Sequence, residues 1–154
     1  MFEFLKNLLS DDDPAKQDDN MSLQLAAASL LLEVSKSDYQ QDDAELEKIR
    51  ELMVNHFHLE SGEIEAFMAR AQKQGKDTTS LYPFTRYIND NCSNDEKFSL
   101  VKALWEVAAE DGRIDKYEEH VIRKIAELIY LPHREFIRAK LMVCDAMNIS
   151  ENNQ

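Results

Sequence analysis

At 154 residues, 44% hydrophobic and 31% charged, the chain is long enough to bury one core and polar enough to stay in water. Three glycines and three prolines are too few for the turns of an all-β fold, and no apolar run approaches the ~20 residues of a membrane span. Thirty acidic against eighteen basic residues give a formal net charge of −12, which speaks against nucleic acid as a partner because phosphate neutralisation needs clustered Lys and Arg.

The elements follow in chain order. Residues 2–9 carry Phe2, Leu5, Leu8 and Leu9 at helical spacing and predict one short helix. Residues 10–20 (SDDDPAKQDDN) are acidic and poor in apolar side chains, so an acidic flexible linker is expected over the end of 1–20. The folded domain, 21–154, then opens with a helix over Met21–Ser37, with Leu25, Ala28, Leu31, Leu32 and Ser35 on one face. Asp43–Phe57 reads as a second helix, with Ile49, Leu52, Met53 and His56 inward, and Glu60–Gln74 as a third, stopped near Gly75. Leu81–Asn91 is a fourth, with Pro83 tolerated in its first turn. Ser93-x-x-Glu96 is a capping box opening a fifth, which runs to about Glu110. Lys116–Tyr130 and His133–Met147 complete the series.

The series repeats itself. Leu31, Glu33, Val34, Asp38, Asp42, Glu45, Ile49 and Arg50 recur as Leu104, Glu106, Val107, Asp111, Asp115, Glu118, Ile122 and Arg123. The spacing is 73 throughout, and these are eight identities within the 23 positions Leu31–Met53, where ordinary composition would give roughly one or two. The third helices align only after a one-residue gap. The expectation is an all-α fold of duplicated three-helix units, about 21–75 and 93–147, joined by the Leu81–Asn91 helix. Units this small bury little alone, so they should share one core.

The repeated acids carry what chemistry the sequence offers. Leu104 lies seven residues before Asp111, so a continuous helix would put both on one inward face. Glu118 precedes Val121 and Ile122 by three and four residues and joins the apolar stripe of its own helix. Asp38 and Glu45 repeat the arrangement. A buried carboxylate needs backbone amides, a cation or a proton. Two readings stay open. In the first, Asp115 with Glu118 and Asp42 with Glu45 are helix starts in which the Asp caps the orphan amides and the Glu folds back, while Gly112 is a left-handed C-terminal cap. In the second, these six acids also hold a divalent cation, and an oxygen-only set would take Ca²⁺ or Mg²⁺ rather than Zn²⁺. A regular EF-hand is excluded, since its first ligand positions fall on Val107 and Ala109 and its glycine falls on Tyr39 in the first copy.

A third and lesser reading is an enzyme using these carboxylates for acid–base work, for which the sequence offers no nucleophile, His partner or cofactor motif. None of His56, His58, His120 and His133 has a Glu three residues before it, so the di-iron pattern is absent. Phosphate-loop and nucleophile-elbow motifs are also missing. Cys92 and Cys144 form no CxxC, and reduced structural thiols are the default. The start MFEFLKNLLSDDD has neither a basic n-region nor a small-residue cleavage site, so a secretory signal is not expected.

The segment Leu104-Trp105-Glu106-Val107-Ala108-Ala109-Glu110-Asp111-Gly112-Arg113-Ile114-Asp115-x-x-Glu118, its weaker copy at Leu31–Glu45 and the later Phe57-x-Leu59-x-x-x-Glu63 together resemble the TerB-like, tellurite-resistance-associated family. The likeness extends over about residues 21–147. It implies an all-helical fold of two repeats and a divalent-cation role for Asp38, Glu45, Asp111 and Glu118. It also implies a non-enzymatic interaction module of bacterial stress-response or membrane-associated assemblies, cytoplasmic, with an unnamed protein partner and at most peripheral membrane contact. The first copy departs from the family pattern, with Ser37-Asp38-Tyr39 in place of Ala-Asp-Gly. The His-Pro-Asp tripeptide of a J-domain is absent, so a co-chaperone role does not carry over. Tellurite chemistry is not supported either, because two isolated cysteines offer no reductant pair and an anionic surface repels an oxyanion.

Overall fold

The computed structural model describes residues 21–36, 43–77 and 80–149. The helix expected over 2–9 and the linker at 10–20 lie outside the described residues. Within them the chain is all helical: α1 Leu23–Ser35, α2 Asp43–Asn55, α3 Ile64–Asp77 entered through a 3-10 turn at Ser61–Glu63, α4 Tyr82–Asn91, α5 Asn94–Ala108, α6 Lys116–Leu128 and α7 His133–Ala146. No strand occurs among the described residues, and no helix there is long and apolar enough to cross a membrane.

The helix starts follow the side chains that can satisfy orphan amides. Ser22 Oγ accepts Leu25 N–H at 3.1 Å to open α1. At α5 the box closes in both directions, with Ser93 Oγ accepting Glu96 N–H at 3.2 Å and Glu96 Oε1 accepting Ser93 N–H at 2.8 Å. Gly75 does not stop α3, which continues to Asp77. A Cβ at that position would approach Lys36 Nζ at 3.3 Å, so the glycine sits where α3 passes close to the end of α1.

The largest departure from expectation is α1. A one-sided stripe was expected, yet Leu25 through Leu32, Val34 and Ser35 are all buried. The reason is tertiary: α2, α3, α4, α5 and α6 all pack around it. The triple alanine Ala26–Ala28 lets those neighbours come close, and a helix enclosed on most sides must be apolar over most of its surface, with Glu33 left part-exposed. Helix α5 plays a similar part, with Trp105 fully buried and its Nε1–H donating to Phe136 O at 3.3 Å, which ties α5 to α7. Gln24 Nε2 donates to Phe57 O at 2.9 Å across the end of α2, and Asn89 Nδ2 donates to Leu128 O at 3.0 Å, joining α4 to α6. His56 is exposed rather than inward, because α2 ends at Asn55 and the next residues leave the helical phase.

Several boundaries keep the 73-residue spacing. Helices α2 and α6 begin at Asp43 and Lys116 and end at Asn55 and Leu128, while α1 and α5 end at Ser35 and Ala108. Beyond α2 and α6, His58 and Tyr130 both adopt left-handed backbone, with φ of 63° and 61°.

Candidate functional site: the acidic turns and a buried carboxyl pair

Helix α5 stops at Ala108, and Ala109 accepts the C-cap role. Gly112 then turns the chain at φ +95°, a conformation that costs little without a Cβ. This early stop decides where Asp111 goes. The expectation of an inward Asp111 required the helix to continue to it, and the turn rotates it out instead. Asp111 is exposed, and its Oδ1 accepts the Arg113 N–H at 3.3 Å. Its opposition to the helix dipole is relieved by that local amide.

Asp115 and Glu118 form the capping box expected of them. Asp115 Oδ1 accepts Glu118 N–H at 2.8 Å, and Glu118 Oε1 accepts Asp115 N–H at 3.2 Å. Glu118 is nevertheless buried, as expected from its place on the α6 stripe, and only 3% of it reaches solvent.

The partner of Glu118 comes from the other end of the chain. Glu45, the third residue of α2 as Glu118 is the third of α6, is 1% exposed, and the two carboxyl groups share a side-chain hydrogen bond. A carboxyl oxygen can bond another only if one of them carries a proton. Glu118 is accordingly pushed up to about 9, first by burial, then by the hydrogen bond from Glu45 and that group's charge, against the lowering pull of the Asp115 amide. Burial and the facing carboxyl thus both favour the protonated form of Glu118.

Asp38 and Asp42 lie outside the described residues. Of the four described candidate acids, the structure brings together Glu45 and Glu118, with Asp115 at the backbone beside them. It sends Asp111 to the surface. Among the described residues no group of three or more His, Cys, Asp or Glu side chains is placed to hold a metal ion. A cation of the Ca²⁺ class takes six to eight oxygens; here two carboxyls converge, and Glu118 is engaged by the Asp115 amide and by Glu45.

These turns sit in a recognisable whole. The model of the family described as tellurite resistance protein TerB matches residues 24–141. The chain belongs to the TerB family. No curated protein and no solved structure matches it. Within this TerB domain, the Asp-Gly turn, the capping box at Asp115 and the α2–α6 carboxyl contact all fall inside the matched span. The carboxyl contact was not foreseen from the sequence. Its only signal was that Glu45 and Glu118 occupy the same position in the two copies of the motif, and positional likeness does not say that two residues touch.

Proposed function

We infer that this TerB-family chain is a non-enzymatic helical interaction module, built from a duplicated three-helix unit, in which the repeated acids are structural. The observation that carries this reading is the occupation of the acids. Asp115 is engaged as an N-cap, Asp111 holds a turn amide, and Glu118 is tied both to Glu45 and to the Asp115 amide. Carboxyls used in this way hold two helix starts against one core. The common spacing of α2 and α6 and their matched third residues support the duplication.

A second reading keeps the cation. The pair itself favours it: two buried carboxyls facing one another can exchange a proton for a divalent ion. Melting the protein at neutral pH with and without millimolar Ca²⁺ or Mg²⁺ separates the two. Under the structural reading the melting temperature stays where it is. A rise that grows with cation concentration and disappears in Glu118→Gln would establish the cation reading, because a ligand that binds only the folded state stabilises by mass action. A cytoplasmic setting and an assembly partner go with the same proposal, supported by the membership of the family and by a net charge of −12 that suits a basic protein surface.

A further inference from the structure

Helix α6 has a second face, about a quarter turn round the helix from Glu118, Ile122 and Ile125. Tyr117, His120, Val121, Lys124 and Leu128 follow one another at i, i+3, i+4, i+7 and i+11, and together line one wall of a groove of about 610 Å³. The opposite wall is the stripe Ser29, Glu33 and Lys36 of α1, and the floor is made by Leu81 and Phe84 at the start of α4. Tyr82 and Tyr117 stand at the rim, 59% and 56% exposed. Large aromatic side chains left uncovered beside a groove are the usual anchors of an interface.

Two observations say what fits there. The first is charge. In a chain of net charge −12, this groove carries Lys36 and Lys124 against a single acid, Glu33. Glu33 is tied to Lys36 at 3.7 Å, and Lys124 makes no ion pair with a described residue. The second is an unmet polar atom: Ser29 is buried to 6% exposure and its Oγ has no hydrogen-bond partner. The occupant should therefore bring apolar side chains, acidic groups and hydrogen-bonding backbone.

The chain contains such a segment close by. Residues 2–9 carry Phe2, Phe4, Leu5, Leu8 and Leu9, and Asp11, Asp12 and Asp13 follow at once. The seven residues 14–20 can span up to ~25 Å, whereas Lys36 lies thirteen residues beyond the start of α1, roughly 20 Å along its axis. The tether is long enough to bring the aspartates to Lys36 and Lys124, and tethering supplies an effective concentration in the millimolar range.

We propose that the groove between α1 and α6 is the docking site of this chain's own residues 2–13, with Leu5, Leu8 and Leu9 against the Leu81–Phe84–Val121 floor and the three aspartates against Lys124 and Lys36. Glu118 does not line the groove, so the proposal does not depend on whether the acidic turns bind a cation.

The test places a photo-crosslinking benzoylphenylalanine at Leu8 in the full chain and maps the products by mass spectrometry. The expected result is a product of monomer mass with crosslinks to Tyr82, Tyr117, Val121 or Leu128. Lys124→Glu, at an exposed site that leaves the fold unaltered by circular dichroism, should lower the yield several-fold. Adding Asp11→Lys, Asp12→Lys and Asp13→Lys to that variant should restore it. Crosslinks mapping instead to the exposed Leu141 and Met142 on α7 would overturn the proposal. So would a product of dimer mass, which would assign the groove to a second copy, and so would a yield no higher than that of a scrambled 2–13 segment.

Discussion

Glu45 and Glu118 stand 73 residues apart, each the third residue of its helix, and their carboxyl groups meet in a hydrogen bond inside the core. Two glutamates at matched positions of the sequence repeat thus face one another, and burial favours keeping a proton between them.

The pair makes stability depend on pH in a direction opposite to that of an ordinary salt-bridged acid. Glu118 titrates near its usual 4.5 when unfolded and is pushed up to about 9 when folded. Between those values the folded state binds the extra proton, so its contribution is fully present below about pH 4.5 and is lost as pH rises towards 9. Unfolding free energy should therefore fall with rising pH across this window, by at most about 1.4 kcal/mol per unit from this group. Denaturant titrations from pH 5 to 9 check it, and Glu118→Gln should flatten the slope. A slope equal in the variant and the wild type would show that Glu118 is not the source.

Asp115→Ala removes the cap that holds Glu118 N–H at 2.8 Å and should cost about 1 kcal/mol without abolishing folding. Asp111→Ala, which loses only an exposed 3.3 Å bond to Arg113 N–H, should cost less. Equal costs from chemical denaturation would mean that the box is not what starts α6.

Backbone handedness gives a pair of opposite effects. Gly112 at φ +95° has open space around a would-be Cβ, so Gly112→Ala should destabilise by about 1 kcal/mol through the backbone alone. Tyr130 holds φ 61° with 76% of its surface exposed, so Tyr130→Gly relieves strain while giving up little packing. It should stabilise by up to about 1 kcal/mol. Thermal melts of the two variants should shift in opposite directions.

Leu31 and Leu104 occupy matched positions in α1 and α5, and neither reaches solvent. Leu31→Ala and Leu104→Ala should each cost 2–5 kcal/mol, on the order found for large-to-small changes in packed cores. A cost near zero for either one would remove that helix from the shared core.

The chain's own pattern was enough to read the helical class, the order of the seven described helices, the capping boxes at Ser93 and Asp115 and the left-handed turn at Gly112. All of these are set within a few residues, by periodicity, by side chains reaching neighbouring amides and by the freedom of glycine. Family membership was also legible, because the Asp-Gly turn and the following Asp-x-x-Glu are local. Three things were decided only in three dimensions. The burial of α1 on most sides depends on how many neighbours surround it, whereas a helical wheel registers only where its apolar residues lie. The exposure of Asp111 depends on α5 stopping at Ala108, a choice made by packing and the turn together, and two residues of difference rotate a side chain from core to solvent. The meeting of Glu45 with Glu118 depends on α2 and α6 coming together at their N-terminal ends. A sequence repeat shows that two carboxyls are alike, and only the fold brings them close enough for burial to force a proton between them.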